Sequence, residues 1–426
     1  MQFSPIAMTI NLLLLLLTSS FVLTKSSPPH YSPSLPLLTI PLYNHHHHHP
    51  QTELGTENLY PRDNGYAVFL LVGTPAQVLL LQVHTTVHFT WAQCSPCGAT
   101  CYPQSRPLFD PHASTTLRQL TSDSDTCRIP QMQNVFIFPL GSSSCRYDLK
   151  YAGQSRSMGR VVTDTLTLAH SNRVLDGFVM GCGDSHEGPF KARFSGVLGL
   201  GRGPLSLPSQ LEAEAFSLCF VSPTSTIPSL LSFYKSPPPN YPNGSFVVPL
   251  IQNERYPQYY FVQLAGIGIG GFMLDIPATV WGYGLNFVDG GVVVDTAADV
   301  MRLPSEAYGV FAAEIRTAMA NFTSKVGPEG LEFCYDDEDG GEEGALRVIP
   351  EMEIYFENGG NEGERLVTWK LSREQSTLKV GERMVCIAFG EGKNSALTVI
   401  GNRLLERTML TWDLANDVLV FTPNAC

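Results

Sequence analysis

Clustered positive charge is what this chain most clearly lacks. Its 426 residues carry 27 Lys and Arg against 39 Asp and Glu, a formal charge of −12. No basic stripe occurs anywhere, which argues against a nucleic-acid partner, because phosphate binding needs gathered cations. Beyond the first residues no apolar stretch has the length of a membrane span. Long helical periodicity is also scarce, and Ser305 to Phe322 is the best amphipathic helix. The motif Cys94-Ser95-Pro96-Cys97, with Cys101 close behind, has no second CxxC partner and no surrounding βαβ pattern. Zinc-ribbon and thioredoxin-like readings are therefore weaker than structural bridges.

What is present is a β-rich chain with 43% hydrophobic residues, enough for a large core in two domains or one bilobal unit. Near the start, the apolar stretch Ile10 to Leu17 and the following Thr18-Ser19-Ser20 suit a signal-peptide core over residues 1–26. An n-region without Lys or Arg leaves organelle transit open as an alternative to secretion. Residues 27–64 are rich in Pro, Ser and His and read as a flexible leader or short propeptide without a helical, basic plug. The tract His45 to His49 lies far from other ligands and is not read as a metal site. Ten cysteines behind a signal-like start suggest five disulfides. The sequons at Asn243 and Asn321 point to the same compartment. The acidic run Asp336 to Glu343 with its paired glycines reads as a solvated loop.

From Gly65 onward, short alternating apolar runs are punctuated by Gly and Pro, among them Tyr66 to Val72, Val78 to Val83, Gly196 to Leu200 and Val292 to Val294. One unit occurs twice. Leu81-Gln82-Val83-His84-Thr85-Thr86-Val87 and Val292-Val293-Val294-Asp295-Thr296-Ala297-Ala298 are each an apolar strand, an ionisable residue, a Thr and a turn. Each is followed, at a similar remove, by an apolar-apolar-Gly segment, Val197-Leu198-Gly199 and Val399-Ile400-Gly401. Two similar halves facing one cleft are implied.

The order of these pieces resembles the pepsin-like aspartic proteases, in particular the plant atypical or nepenthesin-like branch. The matching stretches include Val72-Gly73-Thr74-Pro75, Thr90 to Cys97, Phe194 to Gly201, Pro204 to Leu211, Val399 to Asn402 and Trp412-Asp413-Leu414 through to Cys426. The resemblance implies an all-β bilobal fold with a central cleft, one lobe over 65–213 and the other over 214–426. It also implies the pairings Cys94–Cys97, Cys101–Cys182, Cys127–Cys145, Cys219–Cys426 and Cys334–Cys386. Tyr151 aligns with the tyrosine of the family's substrate-covering hairpin, Trp91 with that tyrosine's hydrogen-bond partner, and Thr85 and Thr296 with the threonines that bond across the lobes.

The family's chemistry needs two carboxylates that share one proton. Asp295 matches one; His84 stands at the other. An imidazole cannot share a proton between symmetric oxygens, and if charged it would form an ion pair with Asp295 and lower its pKa. Thr86 and Ala297 occupy the two turn-glycine positions, and Val87 and Ala298 replace polar neighbours. His84 and His88 sit four apart, about 13 Å on a strand, too far for one ion. The sequence thus reads as a secreted, apoplastic, monomeric pseudoprotease without cofactor or metal, holding a peptide or protein ligand in the old cleft. An acid-active endopeptidase with an altered dyad is one alternative. An inhibitor of secreted glycosidases is another, since relatives with degraded active sites include xylanase inhibitors.

Overall fold

A computed structural model describes residues 36–43, 65–129, 134–141, 143–151, 154–168, 173–222, 225–282, 290–336, 345–357, 366–381, 383–392 and 395–426. The signal-like stretch, the His tract and nearly all of the acidic run lie outside them. The architecture is all-β and bilobal with a central cleft and a few short helices. Among the described residues no helix is long and apolar enough to cross a membrane.

The first lobe is built on a nine-stranded sheet in which Ala67–Val72 pairs antiparallel with Gln77–His84. Alternation places the strands: Arg156–Leu168 switches between buried and half-buried residues almost throughout, as a strand with one face on a core must. Gly196–Gly199 runs parallel to Gln77–His84 with Gly199 opposite His84. In the second lobe Leu397–Gly401 runs parallel to Gly291–Asp295 with Gly401 opposite Asp295. The internal repeat of the sequence is therefore a structural repeat. Glycine is required at both crossings, because a Cβ on Gly199 would sit 2.6 Å from the Phe89 nitrogen and one on Gly401 would overlap the Val300 carbonyl.

The second sheet has eleven strands and contains Gly291–Asp295. Its outermost strand comes from an unexpected place. Leu38–Leu42, within the stretch read as a flexible leader, pairs antiparallel along its length with Ser229–Tyr234. Leu38, Ile40 and Leu42 are buried in the main core at alternate positions. The expectation of a flexible leader fails here because a short period-2 apolar segment is hard to see between Pro-rich flanks.

The expected helix forms over Ser305–Ala318, with Ala307, Tyr308, Phe311, Ala312 and Ile315 buried on one face, Glu306 in its first turn and Arg316 in its last. It stops short of Phe322, whose N–H donates to Met319 O in a turn at 2.9 Å.

Five disulfides form, and two differ from the pairing the resemblance implies. Cys94 bonds Cys182 and Cys97 bonds Cys101. The reason is strand register: Trp91–Gln93 lies parallel to Arg173–Glu187 with Ala92 opposite Cys182, and Cys94 follows directly, its N–H donating to Gly183 O at 2.9 Å. Cys97 and Cys101 are then left to close their own short loop. Cys127–Cys145, Cys219–Cys426 and Cys334–Cys386 match the implied pairs.

Candidate functional site: a cleft with an unequal dyad

His84 ends its strand in the first lobe and Asp295 ends the equivalent strand in the second. Between them the lobes exchange hydrogen bonds through the next residues. The Thr85 hydroxyl donates to Val294 O at 2.7 Å, the Thr296 hydroxyl donates to Val83 O at 2.8 Å, and the Thr296 N–H donates to Thr85 Oγ1 at 3.3 Å. Both threonines are fully buried. Asn402 adds a bond from Nδ2 to Thr296 O at 3.1 Å.

Asp295 is half-buried, and two donors reach its carboxylate. The Ala297 N–H donates to Oδ1 at 2.9 Å, so an alanine at the turn position does not keep the backbone away. The Thr86 hydroxyl donates as well. From sequence, Thr86 reads only as a lost glycine; in the structure its side chain takes up the acid. Burial nevertheless dominates and raises the Asp295 pKa above the ordinary aspartate value, with both donors opposing.

His84 behaves in the opposite sense. The cost of charging a half-buried ring whose Nε2 is shut away from water, reinforced by the Lys191 ammonium, pulls its pKa down to about 3. An ion pair with Asp295 accordingly does not arise, and the conditional lowering of the Asp295 pKa is replaced by a rise. The centre pairs a neutral imidazole with one reluctant acid.

The sign of the pH dependence follows. An unfolded histidine protonates near 6.5 and folded His84 only near 3. Between these values the unfolded chain binds more protons, so stability is lost as pH falls. His88 and His186, each lowered to about 4 mainly by burial, add to this trend, while the raised Asp295 and Glu406 oppose it. Replacing His84→Asn is expected to remove its share. From pH 7 to pH 4, urea unfolding should show the variant gaining on the native chain by as much as ~3 kcal/mol. A constant difference would mean that His84 charges freely in the folded protein.

Above the dyad, Ser144–Lys150 and Arg156–Leu168 form a hairpin with Lys150 opposite Arg156. Tyr151 lies at its turn, its N–H donating to Ser155 O at 2.9 Å. The Trp91 Nε1–H donates to the Tyr151 hydroxyl at 2.7 Å, and the Tyr151 ring stands edge-on to His84 with centroids 5.8 Å apart. Trp91 stacks on His186 at 5.0 Å, and Phe190 and Tyr102 complete the aromatic group. Tyr259 accepts a bond from Asn134 Nδ2 at 3.3 Å; burial, aided by the Asp295 charge, pushes its hydroxyl up to about 12.

His88 is buried against Gly203 and belongs to no metal-ligand group among the described residues. The one grouping there close enough to share an ion is Cys97, Cys101 and His186, and its two sulfurs are already bonded to each other. Sequence reasoning did not find Tyr259, Lys191 or Asp299. None belongs to the repeated motif; the fold brings Tyr259 and Lys191 to the dyad, and Asp299 follows Asp295 by four residues.

Known proteins resemble this arrangement along nearly the whole described chain. The family described as xylanase inhibitor N-terminal matches residues 66–233, and its C-terminal counterpart matches 259–423. The protein Aspartic Protease in Guard Cell 2 of Arabidopsis thaliana is 31% identical over 88% of this chain and 76% of its own length. Aspartic proteinase nepenthesin-2 of Nepenthes gracilis is 28% identical over 88% and 81%. Among solved structures, basic 7S globulin from soybean aligns with a TM-score of 0.66 at 18% identity, covering 90% of this chain and 96% of its own.

Proposed function

The chain belongs to the plant atypical pepsin-like aspartic proteases, and from that premise we propose that it is a catalytically silent member whose cleft binds an extended peptide or a segment of another protein. The observation that carries this reading is His84. Hydrolysis by the family route needs one carboxylate to take a proton from water while its partner gives one to the scissile carbonyl. A neutral imidazole with a pKa near 3 is a weak base beside an acid that is itself hard to ionise, and neither can relay the other's proton through equivalent oxygens.

The binding half of the machinery supports a retained cleft. The Thr85 and Thr296 exchange fixes the two lobes, and Tyr151, held by Trp91, stands over the dyad. A hairpin above an open cleft offers main-chain donors and acceptors to an extended chain. We place the protein in the secretory route as a monomer, delivered to the apoplast and glycosylated at Asn243 and Asn321, both exposed. The five disulfides fit that compartment.

Two further readings stand beside this one. The match to xylanase-inhibitor families favours capture of a secreted glycosidase. Residual acid peptidase activity is the other. Incubating the native protein with an acid-denatured substrate decides the main point. Cleavage is expected to stay at the level of an Asp295→Ala variant, while a peptide carrying a hydroxyl-bearing mimic of the tetrahedral state still binds. Proteolysis that disappears in Asp295→Ala would overturn the proposal, and a stable complex with a purified xylanase would favour the inhibitor reading.

A further inference from the structure

Two charges meet across the cleft beside the dyad. Lys191 comes from the segment joining Arg173–Glu187 to Gly196–Gly199 in the first lobe, and Asp299 lies four residues beyond Asp295 in the second. Lys191 Nζ stands 3.8 Å from Asp299 Oδ1, an ion pair longer than a hydrogen bond. The same ammonium is near enough to His84 to disfavour its protonation.

This lysine does not hang from a loose surface loop. Phe190 before it packs against Trp91, Tyr102, Tyr151 and His186. Ala192 after it accepts the Ser105 N–H at 2.9 Å, and Arg193 O accepts the Ser105 hydroxyl at 3.1 Å. The aromatic group that holds the Tyr151 hairpin thus also holds Lys191. Of the two charges, Lys191 is the outer one: its side chain is 30% exposed, whereas that of Asp299 is 8% exposed. A ligand entering the cleft meets the cation first. Close by, the buried Nε2 of His84 has no hydrogen-bond partner among the described residues.

We propose that the cleft selects a peptide bearing an acidic side chain, whose carboxylate pairs with Lys191 over the former reaction centre. The inference rests on the reading that the cleft holds a peptide. An ammonium offers three donors and an incoming carboxylate can approach to hydrogen-bond length, closer than Asp299 does. A neutral amide of the same shape brings no charge to Lys191 and gains only an ordinary hydrogen bond. A basic side chain meets Lys191 as a like charge before it can reach Asp299. The neutral imidazole of His84 fits this choice, since a further aspartate beside Asp295 and Asp299 would add to the repulsion of the ligand.

Two pools of end-capped heptapeptides with random flanks, one with Glu at the centre and one with Gln, test the idea on the full-length protein by equilibrium dialysis. The Glu pool is expected to be retained roughly ten- to hundred-fold better, the range of a charge-assisted hydrogen bond. That preference should vanish in Lys191→Gln and persist in Lys191→Arg, with both variants melting near the native temperature. Equal retention of the pools, or a preference untouched by Lys191→Gln, overturns the acidic selection while leaving the peptide cleft standing. Failure of both pools to bind overturns the peptide cleft itself, and this inference with it.

Discussion

On the proposed function, combining His84→Asp with Thr86→Gly and Ala297→Gly is expected to turn the cleft into an acid peptidase. A positioned general acid or base typically contributes about 10²–10⁴-fold, and groups acting as a unit are lost or regained together. The repaired protein should therefore exceed the native one by at least about 10⁴-fold in cleavage of a denatured protein in acid. The structure ranks the three changes. Ala297 already presents its N–H to Asp295 at 2.9 Å and Thr86→Gly removes a donor to the same carboxylate, so His84→Asp should supply most of the gain. Adding Asp295→Ala to the triple variant must abolish it. If the folded triple variant stays inert, binding of the scissile segment has been lost along with the dyad, and the proposed function fails with it.

Shortening the chain should have an effect of comparable size on folding. A protein beginning at Ser34 keeps the strand Leu38–Leu42; one beginning at Asn44 loses it. Leu38, Ile40 and Leu42 are each at most 4% exposed, and burying such a side chain contributes roughly 1.5–3 kcal/mol. Three of them amount to a large part of the ~5–15 kcal/mol that holds an ordinary protein folded. Removal also leaves Ser229–Tyr234 as a bare edge, a template for aggregation. The longer form should melt like the full chain, and the shorter one should be largely insoluble. Equal melting temperatures would show that the strand is dispensable. A corollary concerns maturation: if the leader is trimmed, the cut must fall before Leu38.

How much of this was legible in the sequence depends on the range of the interaction concerned. The repeated strand-turn unit, the apolar-apolar-Gly crossings and the helix from Ser305 are local patterns, and they reappear within a few residues of their expected limits. The partner of Cys94 is not local. It depends on a parallel register between strands far apart in sequence, which spacing does not encode. Leu38–Leu42 escaped because its partner strand lies 193 residues away at the Thr39–Ser232 contact. Thr86 was legible as a departure from glycine, but its use as a donor to Asp295 depends on the opposite lobe. Lys191 and Asp299 follow no periodicity at all, and only the closed fold makes them neighbours.

The threonine clamp has a consequence for how such proteins come to exist. The residues that lock the lobes, Thr85 and Thr296, each sit one position after the residues that would react. Architecture and reaction are thus written in adjacent but separate letters. An acid can be exchanged for an imidazole without loosening the bonds beside it, so a gene copy that stops cutting need not stop folding. It remains available, as a stable folded body, for selection to fit to another task.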